Sequence, residues 1–170
     1  MSRLTDLRGF QQDLTQRIDG AAPEQSSHPT RLGVQAGNQY WRIRLEEAAE
    51  VLAVGPLTPV PLTRPWYRGL ANVRGNLLNV IDYGYFLGGA PTPISIDARL
   101  VLVNERFHMN VALLVTRMLG LRPLDQLVPA EVPVSRPWVR QEYLDSDGCQ
   151  WRELSMGELV FHADFLQIGS

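Results

Sequence analysis

The sequence predicts a mainly β protein made of short strands and closed by short helical turns. Three observations carry this. Short stretches such as YWRIRL alternate apolar and polar side chains, glycine, asparagine and aspartate interrupt them at turn positions, and the one long amphipathic helical pattern is confined to the N-terminus.

That pattern comes first. Leu4, Leu7, Phe10, Leu14 and Ile18 recur at helical spacing with polar residues between them, so residues 3–18 read as an amphipathic helix. It packs either on its own domain or on a partner. DGAAPEQSSHPT follows without apolar periodicity and reads as a linker, which gives residues 1–30 as helix plus linker and starts the compact domain at Arg31.

From Arg31 the elements are strands. LGVQA and YWRIRL flank a turn at Gly37 and Asn38, with Trp41, Ile43 and Leu45 on one face and Arg42 and Arg44 on the other. Glu46, Glu47 and Ala48 form a turn, and residues 50–54 resume as a strand. Pro56, Pro59, Pro61 and Pro65 then mark an extended crossing loop, because proline cannot donate to a central ladder. Residues 76–81 form a strand, 99–104 and 109–115 pair as a hairpin, and 138–144 pair with 150–154 around Asp147 and Gly148. NVID before YGYFLG echoes RELS before MGELVF: a strand, a capping Asp82 or Ser155, then a short helical turn. The echo fits two small barrels, each closed by such a turn, and fits chance similarity as well.

Composition narrows the function. At 170 residues the chain can bury roughly 70% of its unfolded surface without a metal or disulfide. Its 16 cationic residues are all arginine against 18 acidic ones, a net charge of −2 with no basic stripe, which argues against nucleic acid. The absence of lysine removes Schiff-base and Walker-type chemistry. The single Cys149 cannot form an internal disulfide, no apolar run approaches the ~18 residues of a membrane span, and the N-terminus is too polar for a signal peptide. The expected protein is cytoplasmic, with no membrane insertion and no cofactor.

Catalytic constellations are missing from the pattern. His28, His108 and His162 lack partners at metal-ligand spacing, and no HExxH, CxxC, phosphate loop or GxSxG is present. Glu46 with Glu47 and Asp145 with Asp147 sit at turns, where carboxylates are solvated or bonded to local backbone. Asp125 and Glu131 flank a loop that reads as a cover for a barrel mouth. The dispersed Trp41, Trp66, Trp138 and Trp151 read as core pieces rather than a ligand cage. The residues thus point to a protein that is not an enzyme.

GLANVRGNLLNVIDYGYFLG, residues 69–88, resembles the signature of the CheW-like coupling domain, in which an arginine–glycine element precedes a strand and a short helical closure. The resemblance extends over residues 31–168, through YWRIRLEEAAEVL, the proline-rich crossing, RLVLVNERFHMNVALLVTRMLGL and the final strand and helix. The chain ends are more similar to PilI-type members, associated with type IV pilus twitching motility, than to the flagellar coupling protein. The implied fold is two intertwined five-stranded SH3-like barrels. The implied function is an adaptor joining chemoreceptor cytoplasmic tips to the regulatory domain of a CheA-type histidine kinase. A flagellar chemotaxis coupling protein and a small-ligand sensor on the same fold are the alternatives.

The resemblance also implies sites. It pairs Arg74 with Glu50 across a groove between the barrels, with Val51, Val73 and Leu77 as apolar walls and Asn72 and Gly75 beside the arginine; the plain reading is that Arg74 caps local carbonyls. Gly69 and Gly75 bracket the element for conformational reasons. For the kinase face the candidates are Leu57, Val60, Leu62, Gly69 and Leu70 around the crossing loop.

Overall fold

The structure, a computed structural model, describes residues 29–170. The helix expected over residues 3–18, and nearly all of the linker, lie outside the described residues.

Eleven strands form two sheets among the described residues: β1 (Arg31–Ala36), β2 (Gln39–Arg44), β3 (Ala48–Ala53), β4 (Tyr67–Val73), β5 (Asn76–Asp82), β6 (Arg99–Val103), β7 (Val111–Val115), β8 (Arg117–Arg122), β9 (Val128–Pro129), β10 (Val139–Leu144) and β11 (Gln150–Leu154). One sheet runs β8-β1-β2-β11-β10-β9 and the other β3-β6-β7-β5-β4. The second sheet is one continuous stretch of chain, whereas the first is completed only when the chain returns at β8. This is the intertwining that the resemblance implies, with a two-residue sixth strand added to the first sheet.

The echo in the sequence is architectural. Each sheet is antiparallel except for one pair, β11 with β2 and β5 with β7. The strands β5 and β11 are the ones followed by the helical turns α1 (Tyr83–Phe86) and α2 (Met156–Val160), capped by Asp82 and Ser155 as expected. A last turn, α3 (Ala163–Leu166), follows.

Two tight loops obey the chemistry of hairpins. Ala36 faces Gln39 across Gly37, whose φ of 60° suits the first central position of a type II′ loop. Val73 faces Asn76 across Arg74 and Gly75, with φ of 52° and 84°, the type I′ signature in which both central residues are left-handed. An arginine at such a position is strained, since its Cβ crowds the following carbonyl.

The larger apolar core lies between the sheets. Val34, Trp41 and Ile43 meet Ile81, Val101 and Leu113, and Tyr83, Met156, Leu159 and Phe165 close it from the helical turns. A smaller core of Ala71, Leu78, Val80, Leu100, Ala112 and Leu114 fills the second sheet's other side. Trp41, Trp138 and Trp151 are buried, which matches their reading as core.

Some expectations differ. Leu45 is exposed, because the chain has already turned into the 3-10 segment Leu45–Glu47. Arg42 does not face solvent: it is fully buried beside Tyr143, with Nη2 donating to the Arg122 carbonyl. β7 begins at Val111 rather than residue 109, since His108 at φ 54° ends a 3-10 turn there. The strands β4, β8 and β9 are additional; in β4 and in the β1–β8 pair a bulge breaks the alternation that reveals a strand.

Candidate functional site

Strands β3 and β4 are the two outer strands of the five-stranded sheet. Glu50 lies on β3, and Arg74 sits in the loop that leaves β4. The guanidinium donates Nη1 to Oε2 at 2.8 Å and Nη2 to Oε1 at 2.6 Å, a bidentate fork. The pair is largely solvent-facing, with side-chain exposures of 70% for Arg74 and 34% for Glu50. The Arg74 hydrogen bond holds the Glu50 carboxyl below the usual carboxylate range, and Glu50 in turn raises Arg74. The bridge expected from the sequence is therefore formed, and Arg74 is not a cap for local carbonyls. Its location is corrected: it ties the two outer strands of one sheet rather than spanning a groove between the two sheets.

The loop explains why an arginine stands there. Left-handed backbone at Arg74 and Gly75 reverses the chain in two residues, and the Asn72 side chain accepts from the Gly75 N–H at 2.9 Å. Beside the bridge opens a cavity of about 350 Å³, with Leu52 and Ala53 from β3, Asn72, Val73 and Arg74 from the β4 side, and Leu100 among its walls. Of the residues expected at this site, Asn72, Val73 and Arg74 line it together. Val51 instead packs on the large core, Leu77 is exposed at 57%, and Gly75 faces open space.

The residues expected on a kinase face do not form one exposed patch. Thr58 and Leu70 exchange backbone hydrogen bonds of 2.8 Å, which seats the crossing loop on β4. Leu57 consequently packs on the smaller core and Val60 on the larger, and Leu70 is half-buried. Gly69, at φ 116°, is buried; a Cβ there would stand 2.1 Å from the Thr58 carbonyl oxygen. Of the five, only Leu62 is widely exposed, at 84%.

Buried carboxylates were not visible in the sequence. Glu47, read as a solvated turn residue, is 1% exposed; it accepts from the Met156 backbone N–H at 3.2 Å and from Arg140 Nη2, with Arg106 at 3.8 Å. It joins the crossover between the sheets to β10 and to the start of α2. Asp82 does more than cap α1: it also accepts from the Thr92 N–H and hydroxyl and from Arg68, pinning the following loop. Burial pushes Glu153 up, but hydrogen bonds from Arg31 and Arg44 outweigh it and hold the carboxyl below its usual range. Asp145 behaves as read, accepting from the N–H groups of Asp147 and Cys149 and from the Trp151 indole.

Among the described residues no three His, Cys, Asp or Glu side chains gather as metal ligands, and no helix is long and apolar enough to cross a membrane.

Comparison with known proteins agrees with the geometry. Protein PilI of Pseudomonas aeruginosa is 30% identical over 143 residues, covering 81% of this chain and 78% of that protein. The crystal structure of the scaffolding protein TtCheW from Thermoanaerobacter tengcongensis superposes with a TM-score of 0.67, covering 83% of this chain and 97% of that one, at 16% identity. That likeness shows a shared fold. Residues 31–159 match the CheW-like domain, and the chain belongs to that family.

Proposed function

We propose that this protein is a non-enzymatic adaptor that couples the cytoplasmic tips of chemoreceptors to the CheW-like regulatory domain of a CheA-type histidine kinase. The family match over residues 31–159 carries the reading, and the 30% identity to PilI directs it to a chemosensory system that controls type IV pilus twitching rather than flagella. The adaptor domain spans residues 31–168, and the protein works in the cytoplasm at membrane-associated receptor arrays.

On this reading the receptor side is built around Glu50 and Arg74, with Asn72 and Val73 at the neighbouring cavity and Val51, Gly75 and Leu77 shaping the strand and loop that present them. The bidentate bridge supports this role because it fixes the spacing of two outer strands without contributing much to folding: exposed ion pairs are weak. The kinase side is centred on Leu62, which stands on a crossing loop held by Leu57, Val60, Gly69 and Leu70. Each contact is moderate, and repetition in an array raises the effective affinity.

Calorimetric titration with a receptor cytoplasmic tip and, separately, with the CheW-like domain of the kinase tests the reading. Saturable binding to both is expected; binding to neither would leave only a shared fold.

A further inference from the structure

The larger core runs out to an open edge of the six-stranded sheet. β8 is the last strand on that side and pairs only with β1 among the described residues. Residues that face each other across a ladder carry their side chains on the same face. Leu32 and Val34 on β1 are buried in the larger core, at 4% and 0% exposure, yet their partners on β8, Leu121 and Met118, are exposed at 61% and 45%. The apolar face therefore continues past the cover that the two sheets give each other.

Addition of another strand does not suit this edge. The ladder between β1 and β8 shifts register between Gly33 and Val34, and Gly120 is left-handed at φ 81°, so the outer backbone of β8 is not a regular template. Arg117 and Arg122 bracket the strand. A second copy paired antiparallel with it would set these like charges opposite each other. The cover that fits is one that packs through side chains.

The chain carries such a cover close to the edge. Leu4, Leu7, Phe10, Leu14 and Ile18 recur at helical spacing in residues 3–18, which lie outside the described residues. The described chain begins with the exposed Pro29 and Thr30 and enters β1 at Arg31, whose ladder partner is Arg122, the neighbour of Leu121. Residues 19–30 are the tether, which can span up to roughly 40 Å, against a length of about 20 Å for β8. So short a tether holds the segment at an effective concentration of about millimolar, where a modest apolar contact is occupied. We infer that residues 3–18 dock in cis on the β8 edge, their apolar positions covering Met118 and Leu121. Neither of these two residues belongs to the proposed receptor or kinase sides, so the contact is separate from both.

The test is paramagnetic relaxation in the full chain. A nitroxide is attached at Gln12→Cys, on the polar side of the helical spacing, with the exposed Cys149 replaced by serine so that the label has one thiol. It is read through the methyl signals of carbon-13-labelled methionines. The expected result is loss of the Met118 methyl signal, restored when the nitroxide is reduced. Phe10→Asp and, at an exposed position, Leu121→Glu should each recover that signal, while an unshifted signal from the buried Met156 shows that the fold is kept. An undiminished Met118 signal beside the active label would overturn the proposal and leave the segment to another surface or a partner. A loss that persists in both variants would overturn it as well. So would a loss that arises only when spin-labelled protein is mixed with a carbon-13-labelled copy, since the segment would then sit on a second molecule.

Discussion

Arg74 and Glu50 join the two outer strands of the five-stranded sheet through a bidentate bridge, and Arg74 adopts left-handed backbone to do so. Strain at an exposed residue that contributes little to stability is a pattern of functional sites. Arg74→Ala should leave thermal unfolding nearly unchanged and weaken receptor-tip binding about tenfold. The exchange Glu50→Arg with Arg74→Glu should recover part of the loss. Calorimetry beside thermal denaturation checks both, and a large drop in stability without loss of binding would assign the pair to folding.

The two glycines of the element separate by mechanism. Gly69→Ala places a Cβ against the Thr58 carbonyl and should cost about 2–4 kcal/mol, undocking the crossing loop. Gly75→Ala meets open space and should cost only the left-handed backbone term, about 1–2 kcal/mol. Denaturant unfolding of the two variants measures the difference.

Glu47 holds the crossover between the sheets. Glu47→Ala leaves the buried Met156 N–H without its acceptor, a loss of about 1–3 kcal/mol, while the exposed Arg140 turns to solvent. Glu47→Gln keeps an acceptor for Met156 and should be milder. Hydrogen exchange at Met156 reports the difference directly.

Acid should weaken the protein through Glu153. Its folded pKa is depressed, so its contribution is fully present above the unfolded value of about 4.3 and is lost as pH falls through the folded value. Glu142 acts in the same direction, with burial opposed and outweighed by its bonds from Ser135. The unfolding midpoint should therefore fall below about pH 4, less steeply in Glu153→Gln.

These predictions divide according to what the sequence exposes. The hairpins, the caps at Asp82 and Ser155 and the Glu50–Arg74 pair were legible, because alternation, capping residues and one specific motif are local signals. Arg42 was not: alternation on β2 puts it opposite Trp41, but only the curl of the sheet decides that this face is covered too. Glu47 was hidden for the same reason, since the groups that bury it arrive from β10 and α2, about a hundred residues later in the chain. Burial of the expected kinase-face residues was hidden as well: the Thr58–Leu70 pairing, invisible in a proline-rich loop, turns Leu57 and Val60 inward and leaves Leu62 as the widely exposed member.

Coupling itself is tested most directly by kinase autophosphorylation with receptor tips, measured with and without this protein. The expected result is receptor control of the kinase only when the protein is present, reduced by Arg74→Ala. Equal kinase activity with and without the protein would contradict it.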